Sequence, residues 1–200
     1  MMGTPGELLL QTQAFQDRLA AGDERAFEAV FRAYYSRVFA VAHRLLGSAH
    51  EADDVAQEAF LRLYRRPLPA GRQHNLLAWL LTVATNQSYN VLRGRRRRQA
   101  RESLAEEPVA ELGPAEATLS RHQCEQVRRA LARLPERQAQ VLLLRQAGLS
   151  YAELATALGV ATSSVGTLLA RAEKALQEAY EQVERDRDGP LGQHEGARGS

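Results

Sequence analysis

Three carboxylates and an amide lie within six residues at the start of the segment DDVAQEAF, residues 53–60. Asp53 and Gln57 are four residues apart, as are Asp54 and Glu58, so on a helix the four side chains share one face. Such a group can ligate a metal ion, form a solvated acidic surface, or bind a cationic partner. A metal site needs further converging ligands, and no His-x-x-x-His or Glu-x-x-His spacing follows. The residues therefore predict no metal and no cofactor, and the other two interpretations stay open.

A polar stripe with an arginine block forms a second pattern. Side chains spaced by four, three and four residues place an amide, a phenol and a guanidinium on one helical face. The segment RGRRRRQAR, residues 93–101, then holds six arginines and no acid. Such a surface suits single-stranded DNA, with polar groups on unstacked bases and arginines on phosphates. The alternative is a solvated face whose basic end complements the helix dipole, although a dipole needs fewer arginines. The candidates are Thr82, Asn86, Tyr89, Arg93, Arg95, Arg96, Arg97 and Arg98.

The segment LSYAELATALGV predicts two short-linked helices near the C-terminus. Ser150 and Glu153 have the spacing of a capping box, and Gly159 suits the turn between the helices. A helix pair of this kind with an amphipathic second member is a helix-turn-helix. On the outer face of the second helix, hydroxyl side chains followed by cations suit contacts with base edges and phosphates in a major groove. The alternative is a helical hairpin that only packs on the rest of the chain and whose outer face is solvated. The outward candidates are Ser163, Ser164, Thr167, Arg171 and Lys174.

The elements that position these side chains are predicted to be helices throughout. Strong helix formers dominate the 200 residues, and only 6% are aromatic, so the composition favours an all-α chain of one or two small domains. We expect a first helical domain over 1–100, a flexible acidic linker over 101–118, a helix-turn-helix domain over 119–185, and a disordered tail over 186–200. No apolar run approaches the ~20 residues that span a bilayer, and no signal peptide is evident, so we expect a soluble cytoplasmic protein.

Three longer segments carry a resemblance to one family. Bacterial RNA polymerase sigma factors of the small extracytoplasmic-function type have a promoter-binding C-terminal domain similar to LARLPERQAQVLLLRQAGLSYAELATALGV. The front of their N-terminal domain resembles AFEAVFRAYYSRVFAVAHRLLGSAHEADDVAQEAFLRLYRR. Their promoter-melting helix resembles LLAWLLTVATNQSYNVLRGRRRR. The matches cover roughly residues 20–180 in the order that the family has.

The resemblance implies a role for each pattern and a set of partners. In the family the acidic helix docks on a basic coiled coil of the polymerase clamp, so Asp53, Asp54, Gln57 and Glu58 are expected to bind polymerase. The arginine-ended helix is expected to melt the −10 element, and the helix-turn-helix to bind the −35 element. The implied partners are core RNA polymerase, through its clamp coiled coil and flap, and promoter DNA, both double-stranded and melted. An anti-sigma factor is a further potential partner, and the chain is expected to act as a monomer in the holoenzyme.

Two segments depart from the family pattern. Relatives often place an aromatic residue before a Gly-Asp-type turn ahead of the melting helix, whereas this chain has PAGRQHN, which offers Gln73, His74 and Asn75 instead. Where relatives commonly read VKSRLHRA, this chain reads VGTLLARA. Gly166, Leu168 and Ala170 therefore replace polar or basic residues, which predicts weakened or altered −35 binding and leaves Leu168 available to another protein.

Two other functions compete with the sigma-factor interpretation. A dimeric helix-turn-helix regulator would explain residues 119–183 but leaves the acidic cluster and the arginine-ended helix without roles. A metal hydrolase built on Asp53, Asp54 and Glu58 would lack histidine ligands, a nucleophile motif and a phosphate loop. We therefore expect no catalytic residue and no enzymatic activity.

Overall fold

The computed structural model describes residues 9–65, 68, 75–101 and 115–188, in which eight α-helices and no β-strand occur. This confirms the predicted all-α class. The helices form an N-terminal region, α1 to α4, and a C-terminal region, α5 to α8. Their bounds are α1 (Gln13–Ala20), α2 (Glu24–Leu46), α3 (Ala49–Arg65), α4 (Leu76–Arg101), α5 (Ala115–Arg133), α6 (Glu136–Gln146), α7 (Tyr151–Leu158) and α8 (Thr162–Asp188).

The N-terminal region is built on the packing of α2 against α3 and α4. Asp23 caps α2 by accepting from the backbone N–H groups of Arg25 and Ala26, as its sequence position predicts. Gly47 ends the same helix with φ of 73°, a left-handed conformation that glycine adopts without steric cost. The apolar stripe of α2 is buried along its length and includes Val30, Tyr34, Val38 and Val41.

The C-terminal region contains the predicted helix-turn-helix. Ser150 and Glu153 form the full capping box of α7, and Gly159 ends that helix in the left-handed conformation. The axes of α7 and α8 differ by 88°, close to the angle expected for the motif. In the part of the chain that is described, no single helix is long and apolar enough to cross a bilayer, and only the bent α7–α8 pair taken together reaches that length and composition.

Three predicted boundaries differ from the structure. Helix α4 continues to Arg101, and α5 begins at Ala115, so both ends of the predicted linker are helical; residues 102–114 lie outside the described residues. Helix α8 runs to Asp188, three residues into the predicted tail. The reason is local, because the two alanines and the glutamate at 115–117 are strong helix formers, although the composition of the segment assigned them to an acidic linker.

The two regions pack against each other. Helix α5 contacts α2, while α6 and α7 contact α4, and the buried apolar residues of both regions form one continuous cluster. A cavity of about 200 Å³ remains between them. Its lining includes Tyr89 and Leu92 from α4 and Leu131 and Leu134 from the C-terminal region.

Candidate docking and nucleic-acid interfaces

The acidic face of α3 is held in a defined geometry. Asp53 accepts hydrogen bonds from the Tyr35 hydroxyl and from the Gln57 amide, the latter at 2.8 Å. Partial burial, and then the Asp53 carboxylate, raise the pKa of Tyr35 to about 12, so the phenol keeps its proton at neutral pH. One oxygen of Asp53 is thus oriented by α2, while the rest of the cluster extends toward solvent.

Asp54 and Glu58 form the outward part of this cluster. Asp54 pairs with His50 at 3.0 Å and Glu58 with Arg62 at 2.9 Å, each one helical turn away. The side chain of Asp54 is 63% exposed and that of Glu58 is 36% exposed. Exposed pairs of this kind contribute only about 0.3–0.5 kcal/mol each, so a partner can displace them at low cost. The opposite face of α3 is buried as predicted, through Val55, Ala59 and Phe60.

Aromatic rings fix α3 on α2 and border the acidic face. The ring of Phe31 contacts those of Phe60 and Tyr35, with centroids 4.9 and 4.7 Å apart. Tyr64 packs on Phe27 with a centroid distance of 5.1 Å yet remains 54% exposed. The Phe31–Phe60 and Phe27–Tyr64 pairs meet edge to face, an arrangement that stabilises helix pairing beyond simple area burial. An exposed aromatic rim therefore lies on the same pair of helices as the carboxylates.

Within the described ranges, no group of three His, Cys, Asp or Glu side chains is placed to hold a metal ion. The carboxylates of α3 are instead paired with Tyr35, His50 and Arg62.

The polar stripe of α4 is only partly as predicted. Asn86 and Arg93 are exposed, and Thr82 is half-buried with its hydroxyl donating to the Ala78 carbonyl at 2.7 Å. Tyr89, predicted to stack on a base, is only 7% exposed and lines the cavity between the regions. Burial, followed by the nearby Glu136 carboxylate, raises the pKa of its phenol. Helices α5 and α6 cover that turn of α4 in this conformation, so base stacking by Tyr89 stays a prediction.

The arginine block divides into anchored and exposed members. Arg95 forms an ion pair with Glu51 and donates to the Leu46 carbonyl at 3.1 Å, so it links α4 to the α2–α3 corner. Partial burial lowers the pKa of its guanidinium. Arg97 donates to the Arg93 carbonyl in its own helix at 3.4 Å, and Arg98 is exposed. The predicted phosphate contact is thus disfavoured at Arg95, which has a structural role here.

Of the three loop candidates, Gln73 and His74 lie outside the described residues. Asn75 caps α4, since its side-chain oxygen accepts from the Ala78 backbone N–H at 2.8 Å. Its amide nitrogen donates to Glu153 of the helix-turn-helix. Both ends of the Asn75 side chain are therefore occupied in this conformation.

The outward face of α8 matches the prediction. All five candidates, from Ser163 to Lys174, are exposed, while Val165, Leu169 and Ala172 are buried beneath them. Leu168 is partly buried and packs on the core, so the predicted contact with another protein is not supported by its position. A Cβ atom added at Gly166 would meet the Tyr151 ring at 3.8 Å, an ordinary contact, so packing does not require glycine there.

Several residues that complete these surfaces were not found from the sequence. Tyr35 orients Asp53 across eighteen positions, and Glu51 holds Arg95 across forty-four. Glu136 and Gln140 contact the α4 stripe from the C-terminal region. No periodicity could have indicated these residues, since each acts on a residue of another helix.

Comparisons with known proteins agree with this architecture. Residues 30–98 match the family model of Sigma-70 region 2, and residues 124–176 match that of Sigma-70, region 4. The RNA polymerase sigma-H factor of Pseudomonas aeruginosa is 29% identical over 88% of this chain and 97% of its own length. The ECF RNA polymerase sigma factor SigW of Bacillus subtilis is 26% identical over 78% of this chain and 89% of its own. SigG of Mycobacterium tuberculosis is 34% identical, over 78% of this chain and 49% of its own.

Solved structures give the same result. The sigma factor RpoE of Bartonella quintana, in complex with the anti-sigma factor NepR, is 26% identical with a TM-score of 0.58 over 78% of this chain and 96% of its own. CnrH, in complex with the cytosolic domain of CnrY, has a TM-score of 0.63 over 85% of this chain and 97% of its own, and at 19% identity it shows the fold alone. These comparisons support neither the dimeric regulator nor the metal hydrolase. Since the two family models occur in order and together cover more than half of the chain, this protein belongs to the sigma-70 family and is an RNA polymerase sigma factor of the extracytoplasmic-function type.

Proposed function

We propose that three helices of this sigma factor each bind a different partner. Helix α3 docks on core RNA polymerase, α8 binds the −35 element, and α4 holds the melted −10 element. The observation that carries the proposal is the acidic face of α3. The Tyr35 hydroxyl orients Asp53 by a hydrogen bond, while the side chains of Asp54 and Glu58 are 63% and 36% exposed. A surface that is fixed before binding loses little conformational entropy when it meets a partner.

The docking partner that fits α3 is a basic surface. Carboxylates crowded on one helical face repel each other, and a cationic partner relieves that repulsion while it sets the orientation of docking. A coiled coil of the polymerase clamp and the flap are the contacts expected from the family. The exposed rings of Tyr64 and Phe31 add apolar area beside the charges.

Binding at the −35 element is assigned to the first turns of α8. The hydroxyls of Ser163, Ser164 and Thr167 precede the cations Arg171 and Lys174 along one exposed face. The N-terminal end of α8 is exposed and α7 lies at 88° to it, an arrangement that suits insertion of that end into a major groove. Gly166 and Ala170 supply no charge, so we expect weaker phosphate contacts than in relatives with cations there.

Holding of the −10 element is assigned to Asn86, Arg93, Arg96 and Arg98 on α4. Unstacking a base costs a few kcal/mol, which is recovered through captured bases and phosphate contacts. Gln73 and His74 stay candidates for the preceding loop. Tyr89 contributes to this surface only after the C-terminal region has moved away from it.

The proposed function is one of binding alone, without a chemical reaction, and we expect it to be carried out in the cytoplasm by one copy per polymerase. The Bartonella quintana relative is described in complex with an anti-sigma factor. A protein of that class is therefore a further partner that we propose for this chain.

The test is gel filtration of the purified chain with bacterial core RNA polymerase. We expect a one-to-one complex that initiates transcription from a promoter of the family. A correctly folded chain that elutes alone, with no inhibitor present, would contradict the proposal.

A further inference from the structure

The cavity of about 200 Å³ between the two regions has a strongly basic lining. Six arginines contribute to it, but only two carboxylates, Glu125 and Glu136. We propose that this cavity binds the phosphoryl groups of a small ligand, which is either free inorganic phosphate or diphosphate, or a nucleotide. The proposal goes beyond the proposed function, because it needs neither polymerase nor promoter. The lining arginines are Arg44, Arg93, Arg95, Arg96, Arg128 and Arg129.

The arginines outnumber the carboxylates that pair with them. Glu51 pairs with Arg95, Glu136 with Arg93, and Glu125 with both Arg128 and Arg129. Within the described residues, Arg44 and Arg96 have no carboxylate partner, and Arg96 donates only to the Ala132 carbonyl at 3.4 Å. Six guanidinium groups therefore meet three carboxylates, which leaves a surplus of three positive charges around the cavity.

The surplus charge acts on the groups around the cavity. Burial, followed by the charges of Arg98 and Arg128, lowers the pKa of Arg95. Burial, followed by the charge of Arg128, also lowers the pKa of His43, which precedes Arg44 on α2. In both cases nearby positive charge disfavours the protonated form. A bound anion would relieve this repulsion.

Two buried donors at the cavity have no acceptor in the part of the chain that is described. The Tyr89 side chain is only 7% exposed, and its hydroxyl is without a hydrogen-bond partner. The Nε atom of Arg128 is also buried and without a partner. Tyr89 lies on α4 and Arg128 on α5, so the two regions each supply one of these donors. Because a buried donor without an acceptor is destabilising, a ligand that accepts from both would be favoured.

The ligand that fits these groups is an anion with several charges and several acceptor oxygens. A phosphate group carries about −1.5 to −2 charges at neutral pH and has oxygens in several directions. Guanidinium groups bind such oxygens in pairs, through strong charge-assisted hydrogen bonds. Burial, followed by the Glu136 carboxylate, raises the pKa of Tyr89, so its phenol stays protonated and can donate to a phosphate oxygen. A single carboxylate would leave most of the surplus charge unbalanced.

The fold holds the site in shape before any ligand is bound. A Cβ atom added at Gly47 would lie 2.7 Å from the Arg128 guanidinium carbon, so only glycine leaves room for this side chain at the end of α2. Apolar side chains form the rest of the lining, and they lower the local dielectric and strengthen the attraction between arginine and phosphate. They are Leu45, Leu46, Leu92, Leu131 and Leu134.

The size of the cavity limits how much of a ligand it encloses. Its volume of about 200 Å³ is below the roughly 300–1,000 Å³ of pockets that surround a drug-sized molecule. The phosphoryl groups therefore occupy the cavity, and the nucleoside of a nucleotide would lie outside it.

The test compares the full chain with two double variants of equal charge. Arg44→Gln with Arg128→Gln removes two guanidinium groups from the cavity. The control, Arg32→Gln with Arg133→Gln, makes the same change on the same two helices, at ion pairs that do not line the cavity. Both variants keep the arginine block of α4, so any unspecific attraction of anions to that block is the same in each.

Two measurements are made on each chain. Isothermal titration calorimetry with inorganic diphosphate gives the Kd. Thermal melting followed by circular dichroism is compared in inorganic phosphate, inorganic diphosphate and sodium chloride at equal ionic strength. For wild type and control, diphosphate at about ten times its Kd should raise the melting temperature by about 3–5 °C over chloride. The Kd of the cavity variant should be weaker by about tenfold or more, and that of the control should stay within about twofold of wild type.

Tyr89→Phe tests the buried hydroxyl without a change of charge. Without the anion its melting temperature should equal or exceed that of wild type, because a buried donor without an acceptor has been removed. Its Kd for diphosphate should be weaker by about fivefold, the value of one neutral hydrogen bond. This variant decides the question even where the loss of two arginines prevents folding.

Adenosine diphosphate distinguishes the two sources of the phosphoryl group. Affinity equal to that of inorganic diphosphate supports free phosphate as the ligand, whereas tighter binding supports a nucleotide whose nucleoside contacts the rim. Melting temperatures no higher in phosphate and diphosphate than in chloride would overturn the proposal. So would a cavity variant with wild-type affinity, or an equal loss in the control, which would show unspecific attraction to a basic chain. Because neither polymerase nor DNA is present, failure of the proposed function leaves these results unchanged.

Discussion

Charge reversal on the acidic face of α3 should abolish polymerase binding and leave the fold intact. The variant is Asp54→Arg with Glu58→Arg, and Asp53 is kept because it is bonded to Tyr35. The two i,i+4 pairs that would be lost, His50–Asp54 and Arg62–Glu58, are exposed and contribute a few tenths of a kcal/mol each. The new like-charge neighbours cost a similar amount. The free energy of unfolding should therefore fall by only about 1 kcal/mol.

The expected loss of binding is much larger. Removing one member of a desolvated charge pair at an interface costs at least about 2 kcal/mol, so two carboxylates account for about 4 kcal/mol. That free energy corresponds to a Kd about a thousandfold weaker. The assay is titration of labelled chain with core polymerase, followed by fluorescence anisotropy, with circular dichroism melting as the check on folding.

A matched control lies on α8. Glu178→Arg with Glu181→Arg makes the same charge change and removes two pairs of the same i,i+4 type. We expect its polymerase affinity to stay within a few-fold of wild type. If the α3 variant also stays within tenfold while folded, the acidic face is not the docking surface. The isosteric pair Asp54→Asn with Glu58→Gln should fall between the two results.

Four further outcomes are expected. Asn86→Ala should preserve polymerase binding but reduce promoter opening, measured by permanganate reactivity of unpaired thymines; unchanged opening would remove Asn86 from the −10 surface. Gly166→Ala should raise the free energy of unfolding by about 1 kcal/mol, and Gly166→Lys should in addition tighten binding to −35 duplex DNA; a destabilised alanine variant would contradict the open packing there. Phe60→Ala, at a site only 2% exposed, should cost about 3–5 kcal/mol in urea unfolding, whereas Leu61→Ala at its exposed neighbour should cost far less. Burial, followed by the Arg128 charge, lowers the pKa of His43 below its ordinary 6.5, so the contribution of neutral His43 to the free energy of unfolding should be fully present above pH 6.5 and be lost as pH falls below it. His43→Gln should flatten that decline in urea unfolding measured across pH. An unchanged slope would exclude His43 as its source.

The sequence determined the local structure of this protein, because helices are specified by nearby residues. The caps at Asp23, Gly47 and the Ser150–Glu153 box follow from side-chain chemistry within one turn, and the structure confirms each of them. Spacing by three and four also placed the acidic face of α3 and the outward face of α8 correctly. The same reasoning could assign family and function, because the motifs are continuous segments of the chain.

Tertiary structure decided which of those surfaces are available. Tyr89 and Asn86 belong to one predicted stripe, yet packing of α5 and α6 buries the first and occupies the second. Arg95 reads as one more arginine in a basic run, but the fold brings Glu51 beside it. Periodicity describes only the direction in which a side chain leaves its own helix, whereas burial depends on what another part of the chain brings to that face.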